Sequence, residues 1–246
     1  MPRAARGHTT GMRHRWLAVV AVGLLAGCDY PRDPAGTLDR VRGGVMRVGV
    51  AESDPWVRVP EGTPPSGVEV ELLERFAATI GARVEWVPGT ESDLMEALQG
   101  RQLDVVVAGL TRQSEWRRVA ALTRPYLTTQ VVIAAPDERT AERLSEDLAG
   151  ARIAVEANSP EAAKLEQDTD AIVRPVDDLA GAGGPAAVPD YLLDDLGLVR
   201  TDAELDEHEH AMAVSMGENA FLVALERFLL DREAEAAAIL AREGRP

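Results

Sequence analysis

The residues of this chain able to do chemistry are few and scattered. Cys28 is the only cysteine among 246 residues, so its thiol has no partner within the chain. His208 and His210 alternate with Glu207 and Glu209, which gathers four potential metal donors in one acidic run. The same run reads equally as a solvated surface, and no metal is assigned to it. Trp56 lies in a polar, proline-bearing stretch where its ring could stack on a cation. Asp190 closes a short apolar run and offers a carboxylate that only accepts hydrogen bonds. Ser159 precedes a proline and a helical pattern, where a hydroxyl caps free N–H groups. The sequence has no glycine-rich phosphate loop and no Gly-x-Ser-x-Gly. No catalytic set and no cofactor follow from these residues.

The setting of Cys28 gives it a role. Arg3, Arg6, Arg13 and Arg15 form a basic start, an apolar run covers 16–26, and small residues end it. That order describes a secretory signal peptide. The run is about half of the ~20 residues needed to span a bilayer. Leu24-Leu25-Ala26-Gly27-Cys28 also resembles the lipobox of bacterial lipoproteins, which implies cleavage before Cys28 and acylation of its thiol. Two acyl signals supply the stable anchor that one chain cannot. Residues 1–27 are then a lipoprotein signal peptide, and the rest sits on the periplasmic or extracellular face, held by lipid. Asp29 at the second mature position resembles an inner-membrane retention signal of Gram-negative hosts.

Charge narrows the partners. The net charge is −15, and the first 27 residues contribute four arginines and no acid, so the remainder is more acidic still. Nucleic acid is excluded as a partner, because its phosphates need lysine and arginine. A cationic ligand suits the balance.

The elements that must position these residues alternate. Residues 28–43, rich in proline, glycine and charge, read as a tether. Strands are expected at 46–50, 82–87 and 103–108, with helices at 68–80 and 92–99, the second capped by Ser92. The order then restarts: strand 130–135, helix 140–149, strand 152–155, helix 159–167, a short strand at 172–173 and another at 186–188. Residues 200–210 read as an acidic loop, 211–216 as a last strand and 219–242 as helix. Such β-α-β order implies parallel strands with helices on both faces, built twice.

The ordered set Gly49-Val50, Asp54-Pro55-Trp56, Gly67-Val68-Glu69-Val70-Glu71-Leu72-Leu73, Gly100-Arg101-Gln102-Leu103-Asp104-Val105-Val106-Val107-Ala108-Gly109-Leu110-Thr111 and Thr123-Arg124-Pro125-Tyr126 resembles the extracytoplasmic solute-binding proteins of the polar amino-acid class. These serve ABC importers. The resemblance extends over roughly 37–242. It implies an α/β, two-lobed periplasmic-binding-protein-like fold with a hinge between two mostly parallel sheets. Lobe one would comprise 44–129, a shortened lobe two 130–211, and 212–246 would return to lobe one. The crossings are expected near 128–131 and 212–215. The partners implied are a small polar ligand and a membrane permease, with the protein a monomer and not an enzyme.

The resemblance also assigns a site. Asp54 and Trp56 match the loop lining the ligand side chain, Thr111 and Ser159 match hydroxyls that bind the ligand anion, and Asp190 matches the acceptor of its ammonium. Trp116 stands where the family places an arginine that forks onto the ligand carboxylate. Arg112 and Arg117, with Arg118 beside them, are the nearby substitutes, and Tyr126 sits at the hinge approach. Trp86 is read as structural. The departure at Trp116 opens an alternative in which Trp56, Trp116 and Tyr126 form an aromatic cage for a carboxylate-free cation such as a polyamine or quaternary amine. A cleft enzyme of the cyclohexadienyl dehydratase kind, recruiting Glu52, Glu115 or Glu156, is a further alternative, and so is a sensory module.

Overall fold

The computed structural model describes residues 31–244; the expected signal peptide, 1–27, and Cys28 lie outside them. The elements in chain order are α1 (Thr37–Val41), β1 (Val45–Val50), α2 (Val68–Thr79), β2 (Arg83–Pro88), α3 (Glu91–Gln99), β3 (Val105–Val107), β4 (Ala121–Leu122), β5 (Leu127–Ala135), α4 (Glu138–Glu146), β6 (Arg152–Glu156), α5 (Pro160–Asp168), β7 (Ile172–Val176), β8 (Ala186–Pro189), α6 (Leu193–Leu196), β9 (Val199–His210), β10 (Ala213–Val214), α7 (Asn219–Leu230) and α8 (Glu233–Glu243). Single 3₁₀ turns occupy Glu115–Arg118 and Asp190–Leu192.

Two five-stranded sheets result, ordered β2-β1-β3-β10-β4 and β7-β6-β8-β5-β9. Within the first, β1 pairs in parallel with β2 and β3, and β10 runs antiparallel to β3 and β4. Within the second, β6 pairs in parallel with β7 and β8, and β5 runs antiparallel to β8 and β9. This is the two-lobed α/β architecture expected, but each sheet is mixed rather than mostly parallel, because the crossing and returning strands β5, β9, β10 and β4 pair antiparallel. Each sheet buries apolar side chains on both faces. Leu72, Leu73 and Phe76 of α2 and Phe221 and Leu225 of α7 cover one face of the first, while Leu94, Met95 and Leu98 of α3 cover the other. Leu144 of α4 and Leu165 of α5 pack on one face of the second.

The chain changes sheets at 123–126 and again at 211–212. These passages run side by side: the Thr123 N–H donates to the Met212 carbonyl at 2.9 Å, and the Tyr126 N–H to that of His210 at 3.0 Å. The first crossing therefore lies a few residues before its expected position, because Thr128 and Val131 are already paired within β5, while the second begins one residue before the expected 212–215.

Other expectations are corrected. Residues 200–210 are not a loop but most of β9, paired along β5. β9 is an edge strand, so one side can carry charge while Thr201, Leu205 and His210 are buried. Residues 33–43 are not a tether. Asp33 Oδ1 accepts from the Ala220 and Phe221 N–H groups at 2.7 and 3.1 Å, and Glu218 accepts from the Ala35 and Thr37 N–H groups, so the segment is fastened to the start of α7. Helix α3 starts earlier than expected, with Thr90 as its cap in place of Ser92. Helix α4 is capped by Asp137 and ends at Glu146. No helix intervenes between β7 and β8, as the glycine run 181–185 implies.

Candidate functional site

The site begins with how Trp56 is held. The first N–H groups of α2 have no partner within their own helix. Here the loop folds over that end, and the Val68 and Glu69 N–H groups donate to the carbonyls of Pro55 and Trp56 at 3.2 and 3.0 Å. Gly67 makes this approach possible. Its φ is 116°, and a Cβ there would stand 2.5 Å from the Trp56 carbonyl oxygen. Gly109 does the same from the other side, with φ 63° and a Cβ position 2.8 Å from Trp56 Cδ1.

Trp56 is 6% exposed, and its ring stacks on His210 with centroids 3.7 Å apart and planes at 29°. Tyr126 and Tyr191 meet it edge-on at 6.4 and 6.3 Å. The cluster draws on the first lobe, both crossing passages and the 3₁₀ turn after β8. His210 Nε2 pairs with Thr129 Oγ1 at 2.9 Å, and Nδ1 is buried without a partner. Burial, with His208 nearby, pushes the His210 imidazole down to about 3, so Trp56 stacks on a neutral ring.

Glu69 underlies the cluster. Its side chain is fully buried. Oε1 accepts from the Tyr126 hydroxyl at 2.9 Å and Oε2 from the Gly109 N–H at 2.9 Å. Burial pushes its carboxyl up to about 7, against the pull of the Gly109, Tyr126 and Ala108 donors. One carboxyl thus fixes both the crossing passage at Tyr126 and the turn after β3.

The expected residues divide into two groups. Trp56, Tyr126 and Thr111 come together: Thr111 bridges to His210, and the Ala211 N–H donates to the Leu110 carbonyl at 2.8 Å. Asp190 is half-buried at the head of its 3₁₀ turn, next to Tyr191. The Tyr191 phenol is pushed up to about 12 by burial and then by the charges of Asp190, Asp54 and Glu156. The charges of acids from both lobes therefore act on one hydroxyl beside Trp56. Asp54 is exposed and pairs with Arg58 at 2.6 Å, which also holds Glu243 at 2.7 Å.

The remainder stand elsewhere. Trp116 is half-buried on its 3₁₀ turn, packs against the α3 side of the first sheet, and donates Nε1 to Glu91. It is not among the ring partners of Trp56, so the cage of Trp56, Trp116 and Tyr126 does not form. Arg112 Nη1 donates to the Leu122 and Thr123 carbonyls at 3.2 and 3.1 Å, and its N–H to the Glu209 carbonyl. It clamps the crossing, with the rest of its guanidinium not engaged by those bonds. Arg117 is exposed on the same turn as Trp116. Ser159 caps α5, accepting from the Ala162 N–H at 3.2 Å. Of the acids considered for catalysis, Glu52 accepts from the Val59 N–H at 2.7 Å, while Glu115 and Glu156 are exposed.

A second cluster lies beside the first. His208 Nε2 stands 3.3 Å from Glu161 Oε1 and 3.8 Å from Asp206 Oδ2. The hydrogen bond with Glu161 holds the His208 imidazole above its ordinary value and the Glu161 carboxyl below its own. Strand alternation turns Glu207 and Glu209 away from His208 and His210, so the four-donor run of the sequence is not one site.

Sequence reasoning missed Glu69, His210 and Tyr191 as members of the site. Glu69 carried a signal, since an acid flanked by Val68, Val70 and Leu72 on a packed helix is unusual.

Comparison with known proteins agrees with this architecture. The segments of Membrane-bound lytic murein transglycosylase F that resemble this chain include one from Vibrio cholerae, 34% identical over 134 residues, covering 52% of this chain and 24% of that protein. Its Photobacterium profundum counterpart is 31% identical over 127 residues, covering 50% and 24%. This chain therefore spans about a quarter of those relatives. Among solved structures, an ancestral cationic amino acid solute-binding protein superposes with a TM-score of 0.68 at 20% identity, covering 84% of this chain and 98% of that one. The L-cystine solute receptor of Neisseria gonorrhoeae, unliganded and open, gives 0.68 at 18% identity, covering 85% and 94%. The model of the bacterial extracellular solute-binding proteins, family 3, matches residues 46–241. With two sheets joined by paired crossings and an aromatic cluster set between them, the chain belongs to that family.

Proposed function

We propose that this protein captures a small polar solute bearing a positive charge, at the cleft beside Trp56, and delivers it to a membrane importer of the ABC type. The observation that carries this reading is that Tyr191, edge-on to the Trp56 ring, feels the negative charge of Asp190, Asp54 and Glu156 from both lobes. Carboxylates from two lobes around an aromatic wall suit an ammonium or guanidinium group. Thr111 and Arg112, on the turn after β3, supply a hydroxyl and the free part of a guanidinium for a carboxylate. An amino-acid-like zwitterion with a cationic bias is the ligand class that uses both ends. On this reading the protein acts as a binder and not as an enzyme. Lipidation at Cys28 would hold it on the outer face of the membrane as a monomer near its permease.

A second reading has its own support. The curated relatives carry the name of a murein transglycosylase, and this chain matches only a segment of each. On that reading the same cleft senses an amino-acid-containing fragment of murein and transport plays no part.

A thermal-shift screen separates these readings. Basic and neutral amino acids, polyamines and short murein peptides are tested in parallel. Binding at one hundred times the dissociation constant stabilises the folded state by about 2.7 kcal/mol. Stabilisation by basic amino acids supports the first reading, and stabilisation by murein peptides alone supports the second. Stabilisation by polyamines but by no zwitterion would remove the carboxylate end from the site.

A further inference from the structure

We infer that Glu161, Asp206 and His208 form a binding site for a divalent transition-metal ion, with zinc the best fit. One ligand atom from each lies within 4.8 Å of the others. They come from two elements, Glu161 from the first turn of α5 and Asp206 and His208 from β9. The Nε2–Oε1 separation of 3.3 Å is close to the edge of a tetrahedron whose metal–ligand bonds are about 2.0–2.1 Å. The Nε2–Oδ2 separation of 3.8 Å needs to shorten by a few tenths of an ångström.

The surroundings orient these donors as outer-shell partners do. Asp206 Oδ1 accepts from Lys164 Nζ at 2.7 Å and from the Glu207 N–H at 2.9 Å. Its other oxygen, Oδ2, is thereby left to face His208. The groups are half-buried, with side chains of His208, Glu161 and Asp206 31%, 15% and 28% exposed, so an ion could enter while losing much of its water. An imidazole with two carboxylates is a mixed nitrogen and oxygen set, which suits zinc and its neighbours better than calcium or magnesium. Three protein donors leave one tetrahedral position open. The site is separate from the acids around Tyr191 but adjoins the ring stack, since His208 meets His210 edge-on at 6.3 Å. An ion there would tie α5 to the edge strand that leads into the crossing. This inference does not rest on the solute reading.

The test is calorimetric titration of the full chain with zinc chloride after chelator dialysis. We expect one equivalent to bind with micromolar or tighter affinity. His208→Ala and Glu161→Gln should each weaken it at least 30-fold, while Glu207→Gln/Glu209→Gln, on the opposite side of β9, leaves it unchanged. Zinc should raise the melting temperature of the wild type and of neither site variant. Because Glu161→Gln changes one atom on a half-buried side chain, it should fold and melt cooperatively even if His208→Ala does not. The proposal is overturned if the wild type takes up no stoichiometric zinc. It is equally overturned if Glu161→Gln binds zinc as the wild type does, or if binding vanishes in the Glu207/Glu209 variant.

Discussion

Glu69→Gln tests the reasoning about the buried carboxyl that fixes the crossing. In the folded protein this carboxyl titrates at about 7, against 4.5 for an ordinary glutamate. The difference sets a stability term with a definite sign. Below pH ~4.5 both folded and unfolded chains hold the proton, and the group contributes nothing. Between ~4.5 and ~7 the unfolded chain releases it while the folded chain keeps it, so stability falls as pH rises. Above ~7 the loss is complete and constant, about 3 kcal/mol at 1.36 kcal/mol per pH unit. Glutamine does not titrate. It also replaces one acceptor with a donor, and leaving the Gly109 N–H or the Tyr126 hydroxyl unpaired costs about 1–3 kcal/mol at every pH. The variant should therefore be less stable than the wild type at pH 4.5 and equal or more stable at pH 8. The assay is urea unfolding followed by tryptophan fluorescence. Trp56, Trp86 and Trp116 all report on the first lobe. The stability difference between the two proteins should shift by about 3 kcal/mol across that range. A difference that stays constant within 1 kcal/mol would show that Glu69 ionises normally and that its burial has been misread.

Other outcomes follow from the same geometry. Gly109→Ala adds a Cβ that meets Ser53 and Trp56 at a left-handed φ of 63°. It should lower the melting temperature and weaken solute binding, and a binding constant equal to the wild type would mean that Trp56 is not held by this turn. Asp33→Ala removes the acceptor of the Ala220, Phe221 and Leu38 N–H groups. It should cost about 1–3 kcal/mol in urea unfolding, whereas no change would return 33–43 to the status of a tether. Cys28→Ser should abolish labelling by a palmitate analogue and cleavage by lipoprotein signal peptidase, and equal labelling of both proteins would sink the lipid anchor.

Much of the fold could be read from local patterns. Apolar periodicity marked α2, and the fully apolar run at 105–107 marked a strand covered on both faces. The misreadings share a cause, which is long-range pairing. Residues 200–210 are charged because β9 is an edge, and its strand character shows only in Thr201, Leu205 and His210 turned inward. The 33–43 segment looks like linker because its anchors, Asp33 and Glu218, lie more than 180 residues from their partners. The family order singled out Trp56, Thr111, Tyr126 and Asp190, and the fold brings these four to the ring cluster around His210 and Tyr191. The site was not legible at His210, since a histidine in an acidic run gives no sign that it will stack beneath Trp56. The gap left by Trp116 was legible, yet its consequence was not. Its indole turns to Glu91, and no sequence pattern indicates that contact.

The solute reading requires Asp190 to hold the positive end of the ligand beside Trp56. Calorimetry of the solute that gives the largest thermal shift, against the wild type and Asp190→Ala, tests it most directly. The wild type should show one site and the variant a loss of at least thirty-fold, since truncating one partner of a charged hydrogen bond that the ligand buries costs about 2–5 kcal/mol. Equal affinity in the two proteins, with the variant melting as the wild type does, would contradict it.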